Sequence, residues 1–114
     1  GARSETGVGN IFNAPLPPET DGARFRAAWS GSLLPAIDAF RPQLLLVSAG
    51  FDAHRRDPLA ELRLEAGDFG WIARELVQLA NRHCRGRIVS MLEGGYDLEA
   101  LAESSVAHVR ELLA

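Results

Sequence analysis

Two short runs constrain the fold of this chain more than any other feature. Leu44-Leu-Leu-Val47 is apolar at every position, and Ile88-Val-Ser-Met-Leu92 is broken only by Ser90. Such runs read as strands buried on both faces, the pattern of a parallel sheet covered by helices. Each run enters a polar loop, and each loop leads into apolar residues recurring at spacings of three and four. Phe69, Ile72, Ala73, Leu76 and Leu79 mark a helix after the first loop, with Asp68 as its expected cap and Gly86 as its stop. Leu98, Leu101, Ala102, Val109, Leu112 and Leu113 mark one side of another after the second, capped by Asp97. Upstream, Phe25, Trp29, Leu33, Ile37 and Phe40 recur in the same way behind Thr20 or Asp21. Pro35 falls inside that helix and predicts a kink or a split. Ile11 and Phe12 allow only a brief edge strand before Pro15, Pro17 and Pro18. The resulting order of strand, helix, strand, helix, strand, helix predicts a three-layer α/β architecture, a parallel sheet with helices on both faces. Leu44–Val47 and Ile88–Leu92 are its expected neighbouring strands.

A chain of 114 residues, 46% hydrophobic and 24% charged, holds at most one soluble domain, residues 1–114. A formal charge of −3 gives no electrostatic reason to expect nucleic acid or an anionic membrane as partner. Its 12 basic residues are all arginines, scattered rather than gathered into a patch. The apolar runs are too short to span a membrane, and the first residues lack a signal-peptide pattern. A single cysteine, Cys84, rules out an internal disulfide and fits a reducing, cytoplasmic setting. Near a helix end, it reads as a structural thiol. The chain opens on Gly1 and its one methionine is Met91, so it reads as a processed product or as part of something longer.

The loop after the first run reads Ser48-Ala-Gly-Phe-Asp-Ala-His-Arg-Arg-Asp57-Pro-Leu. In an open α/β sheet this is the carboxyl edge, where ligands bind. Asp52, His54 and Asp57 crowd into it. Carboxylate oxygen and imidazole nitrogen both suit zinc, and extended residues two apart point the same way. The same residue types also shape surface turns by bonding nearby backbone amides.

The loop after the second run is Glu93-Gly-Gly-Tyr-Asp97, and Tyr96 lies 39 positions beyond Asp57. Gly94 and Gly95 permit a tight turn and close backbone approach to a ligand. The phenol of Tyr96 is a hydrogen-bond donor of the kind that stabilises an oxyanion. A plain turn carrying a surface tyrosine has the same local sequence. A phosphate cradle is the weakest reading, because neither glycine-rich phosphate motif is present.

Together, Asp57-Pro58-Leu59 and Glu93-Gly94-Gly95-Tyr96-Asp97 resemble the zinc-dependent histone deacetylase family, especially its class II-like and bacterial deacetylase-like members. The resemblance runs from Gly1 to Ala114 and matches the C-terminal part of the family's catalytic domain. It implies the C-terminal portion of an arginase/deacetylase-like fold. It also implies that Asp57 is a zinc ligand and that the Tyr96 hydroxyl donates to the acetyl carbonyl opposite the metal. By the same match Leu64 lines the tunnel that grips the substrate's aliphatic chain, and Gly94 and Gly95 make room at the substrate. Asp52 and His54 then support the shape of the ligand loop. The implied reaction is zinc-dependent hydrolysis of acetyl-lysine, an acetylpolyamine or a similar acetamide; some relatives are named for acetoin utilisation.

The family's tandem histidines and the Asp-x-His segment carrying its other two ligands have no match here. His54, His83 and His108 are isolated, and the last two read as solvated helix positions. The implied partner is therefore an N-terminal part of the same catalytic domain. Alone, the chain is expected to be inactive, to expose apolar surface and to self-associate. The competing readings are a non-catalytic α/β interaction module and, on Gly94-Gly95 alone, a nucleotide-binding domain.

Overall fold

The computed structural model describes residues 1–114. Helix α1 (Gly22–Ala28) begins where the Asp21 carboxylate accepts the N–H of Arg24 at 3.0 Å. It runs into a wide π turn, Trp29–Leu33, and then into α2 (Leu34–Phe40). The expected split at Pro35 is thus achieved by one loosened turn. Proline cannot donate to the carbonyl four residues back, and the π turn shifts the register just ahead of it, with Leu34 N–H bonding the Trp29 carbonyl. Residues 11 and 12 form no strand.

Strands β1 (Leu45–Ala49) and β2 (Ile88–Leu92) pair in parallel, Leu45 opposite Ile88 and Ala49 opposite Leu92. Helix α3 (Ala66–His83) connects them, and α4 (Leu98–Leu113) closes the chain. The sequence placed the cap of α3 at Asp68; the N-cap is Glu65. Asp68 is the third helical residue and reaches back to the Glu65 N–H at 2.9 Å, forming a reciprocal capping box. Its other oxygen takes the Arg26 guanidinium at 2.8 Å, tying α1 to α3. Asp97 caps α4 as expected, accepting the Ala100 N–H at 2.9 Å.

The core lies between the helices and one sheet face. Leu45, Val47 and Ile88 meet Ile72, Leu76 and Leu79 of α3, while Ala49 and Phe51 meet Phe69. The opposite face carries Leu46, Val89 and Met91, with Leu46 64% exposed. The strands are therefore apolar on both sides, as their sequence implies, and helices cover one side within these residues. The side of α4 expected to be buried is largely open, since Leu98 and Leu113 are exposed. Its buried stripe is Ala100, Ser104 and His108. Small side chains at the first two of these positions let α3 and α4 approach closely.

Candidate active site

Because β1 and β2 run parallel, their following loops leave the same sheet edge. The ladder continues into them: Glu93 N–H donates to the Ala49 carbonyl at 2.9 Å, and Phe51 N–H to the Gly94 carbonyl at 2.8 Å. A third bond joins the two chemically interesting residues. Asp57 Oδ2 accepts the backbone N–H of Tyr96 at 2.9 Å.

Asp57 is 8% exposed, and backbone donors surround it. Oδ1 accepts Leu59 N–H at 2.8 Å and Ala60 N–H at 3.3 Å. Burial pushes its carboxyl pKa up, but the N–H groups of Leu59, Tyr96, Ala60 and Asp97 outweigh it and hold the pKa below the ordinary value. A carboxylate offers about four lone-pair directions, and the Leu59, Ala60 and Tyr96 bonds use three of them. Asp57 is thus a carboxylate held in its ionised form by backbone donors from both loops.

His54 is completely buried. Its Nδ1 accepts the Arg56 N–H at 3.1 Å and its carbonyl accepts the Asp57 N–H at 2.9 Å. An accepting Nδ1 puts the ring hydrogen of the neutral imidazole on Nε2. That nitrogen has no hydrogen-bond partner, and the nearest carboxylate oxygen, Glu65 Oε2, is 3.8 Å away. Arg55 pairs with Glu65, while Arg56 reaches α4 through Glu99 at 3.3 Å and Glu103 at 2.6 Å. Neither arginine drew notice in the sequence; two adjacent arginines flanked by candidate ligands were the only signal.

Asp52 turns towards the second loop. A Cβ placed on Gly94 would come within 2.7 Å of its carboxyl carbon, so a side chain there would displace the Asp52 carboxylate. Gly95 has φ +144°, and a Cβ there would sit 3.0 Å from Leu101 Cδ1 and 3.3 Å from Phe51 Cβ. Backbone conformation and space both exclude a side chain there. Tyr96 follows with its N–H fixed on Asp57 and its side chain out, the residue being 55% exposed.

Asp52, His54 and Asp57 therefore do not converge. One faces Gly94, one points inwards, and one faces Tyr96. No group of three or more His, Cys, Asp or Glu side chains gathers to hold a metal.

Leu64 is 0% exposed and packs with Ala49, Phe51 and Phe69 beneath the loop. A bridge pairing Leu64 with His54 sets its side chain there, with Leu64 N–H on the Ala53 carbonyl at 3.0 Å. An apolar cavity of about 320 Å³ runs along β1 beside Phe25, Phe51, Leu64 and Phe69. The expectation for His83 and His108 is corrected, because neither is solvated. His83 Nε2 meets Asp38 at 2.8 Å, and His108 Nε2 meets the Ser90 hydroxyl at 2.8 Å beneath the sheet edge.

A family model described as "Histone deacetylase domain" matches residues 1–112. The chain belongs to the histone deacetylase domain family. It is 42% identical over 104 residues to type-2 histone deacetylase 1 of Dictyostelium discoideum, covering 91% of this chain and 7% of that protein. It is 47% identical over 83 residues to a probable deacetylase of Methanothermobacter thermautotrophicus, covering 72% of this chain and 24% of the relative. Histone deacetylase 10, chloroplastic, of Oryza sativa subsp. japonica is 41% identical over 107 residues, covering 94% of this chain and 24% of its own length. The chain thus spans less than a third of each of these family members. Two solved structures agree in fold. The HD domain of HDA15 superposes with a TM-score of 0.82 at 31% identity, covering 90% of this chain and 28% of that one. The histone deacetylase Clr3 gives 0.86 at 28% identity, covering 93% and 17%. The fold is the arginase/deacetylase α/β fold, and no helix here is long and apolar enough to cross a membrane.

Proposed function

We propose that residues 1–114 form the C-terminal segment of a zinc-dependent amidohydrolase domain that removes acetyl groups from acetyl-lysine, an acetylpolyamine or a similar acetamide. The observation carrying this reading is the bond from Tyr96 N–H to the Asp57 carboxylate, which couples a ligand-grade anion to a phenol at one sheet edge. The donor chemistry fits one ligand of a zinc ion and no more. Asp57 would supply that ligand through its carboxylate, and the remaining ligands would come from outside these residues. Zinc, when bound, polarises the acetamide carbonyl and makes water a nucleophile near neutral pH.

The chain's own residues do the rest of what is proposed here. Gly94 and Gly95 let the turn before Tyr96 pack closely against Asp52, Phe51 and Leu101, and so set where the phenol leaves the loop towards substrate. The Tyr96 hydroxyl donates to the oxygen that gains charge as the carbonyl becomes tetrahedral, an interaction typically worth about 3–4 kcal/mol of barrier. Asp52 and His54 support the loop shape. The bare face of Leu46, Val89 and Met91 supports an N-terminal part of the same domain as its partner. The lone buried thiol, Cys84, fits a reducing compartment, cytoplasmic or, as the names of some relatives suggest, plastidic.

The test uses the complete deacetylase domain that contains this chain, assayed for zinc content and for acetate release from acetyl-lysine peptides and acetylpolyamines. Tyr96→Phe is expected to keep its zinc and to lose roughly 10²–10³ in kcat. Asp57→Asn is expected to lose zinc and turnover together. Hydrolysis indifferent to both changes would refute the proposal.

A further inference from the structure

We propose that His54 is a positioning residue for this site. It holds Asp57, and through Asp57 the backbone of Tyr96, by means of its Nδ1 acceptor and not by filling space. The inference rests on the reading of Asp57 and Tyr96 given above.

Both amides leading into Asp57 end on His54. The ring takes the Arg56 N–H at 3.1 Å, and the His54 carbonyl takes the Asp57 N–H at 2.9 Å. The first of these closes the ring that an asparagine or aspartate closes when it accepts the N–H two residues on. Asp57 repeats the device one step later, Oδ1 accepting Leu59 N–H at 2.8 Å. Two such turns in succession leave the Asp57 carboxylate little freedom, and its Oδ2 reaches the Tyr96 N–H.

The other ring nitrogen argues against a filler. Nε2 is buried and unpartnered, with Glu65 Oε2 at 3.8 Å. Burying an N–H without a partner is unfavourable. A side chain needed only for its volume would do better as leucine, which fills the same space without a polar atom. The imidazole is explained by what Nδ1 does.

Three substitutions in the complete domain separate the alternatives. Asparagine in His54→Asn restores an acceptor to the Arg56 N–H and loses volume. His54→Leu restores volume and loses the acceptor. His54→Gln reaches the place of Nε2 but not that of Nδ1, and serves as the negative case if the leucine variant does not fold. Changes just behind a metal-site residue typically cost 10–100-fold in activity or metal affinity. His54→Leu and His54→Gln are expected to lose about that factor in kcat with KM within about twofold, while His54→Asn stays within about threefold of the parent.

Amide hydrogen exchange at Tyr96 gives a readout independent of turnover. It should quicken about tenfold or more in the leucine and glutamine variants and stay near the parent in the asparagine variant. A leucine variant with parental exchange and turnover overturns the proposal, and so does an asparagine variant as impaired as leucine. If the parent itself binds no zinc and releases no acetate, the proposed reaction fails, while the exchange comparison still decides whether His54 positions the loop.

Discussion

The carboxylate loop and the glycine–tyrosine loop lie side by side at one sheet edge, but they are held in opposite ways. The first organises itself. Phe51, His54, Asp57 and Leu64 are buried, and side chains of the loop bond its own backbone at Arg56, Leu59 and Ala60. The second has little of its own. Glu93 and Tyr96 are exposed, and its backbone is fixed by Phe51 N–H, the Ala49 carbonyl and the Asp57 carboxylate, all given by the first loop. A rigid loop thus positions a compliant one. On the proposed reading, that division fixes the carboxylate offered to a metal while leaving the phenol open to substrate.

The largest test of that asymmetry is Asp57→Ala. Removing one carboxylate strands three N–H donors, in both loops, and should cost about 2–4 kcal/mol of stability at roughly 1 kcal/mol per donor. Hydrogen exchange should quicken at Leu59 and Tyr96 together. Protection retained at Tyr96 would mean that the second loop holds itself. Next comes Gly95→Val, which acts on the dependent loop alone. With φ at +144° and Leu101 and Phe51 already close, valine should cost about 1–3 kcal/mol, seen as a lower urea midpoint at unchanged slope. The amides of Arg56 and Asp57 should keep their protection, since both end on His54 within the first loop.

The smallest effect is a pH slope from beneath both loops. His108 bonds Ser90 on β2 and meets the Phe51 ring edge-on at 5.6 Å, and burial lowers its pKa from the ordinary 6.5. The unfolded chain therefore binds this proton at a higher pH than the folded chain does. Its stabilising contribution is full above about pH 6.5 and is lost as the pH falls towards the folded pKa. His108→Gln should flatten the slope of thermal stability between about pH 5 and 7, above the range where most carboxylates titrate. An unchanged slope would move its origin to another group.

Periodicity made the architecture legible. The Ile88–Leu92 strand, the parallel pairing, the Asp97 cap and the break before Pro35 all follow from local patterns that the fold leaves intact. What stayed hidden depends on partners far along the chain. Glu65 is a poor N-cap by type and succeeds because Asp68 reciprocates and Arg26 steadies Asp68 from another helix. His83 and His108 read as solvated because Asp38 and Ser90 lie distant in sequence. At the site, the motif residues were visible but their directions were not. Asp52, His54 and Asp57 share one short loop and face three ways, and Leu64 turns inwards because it pairs with His54.

The bond from Tyr96 to Asp57 also says something about how the chain folds. It closes a loop of 39 residues, and bringing those ends together costs roughly 3 kcal/mol of chain entropy. One charge-assisted hydrogen bond returns about 1.5–3 kcal/mol, too little to close the loop unaided. Helix α3 must form and the strands must register before the clasp can hold. The two halves of the site should then meet late in folding, and the clasp should open first when the structure breathes. Partial unfolding would separate phenol from carboxylate while the helices persist, and the proposed activity would be lost before the fold.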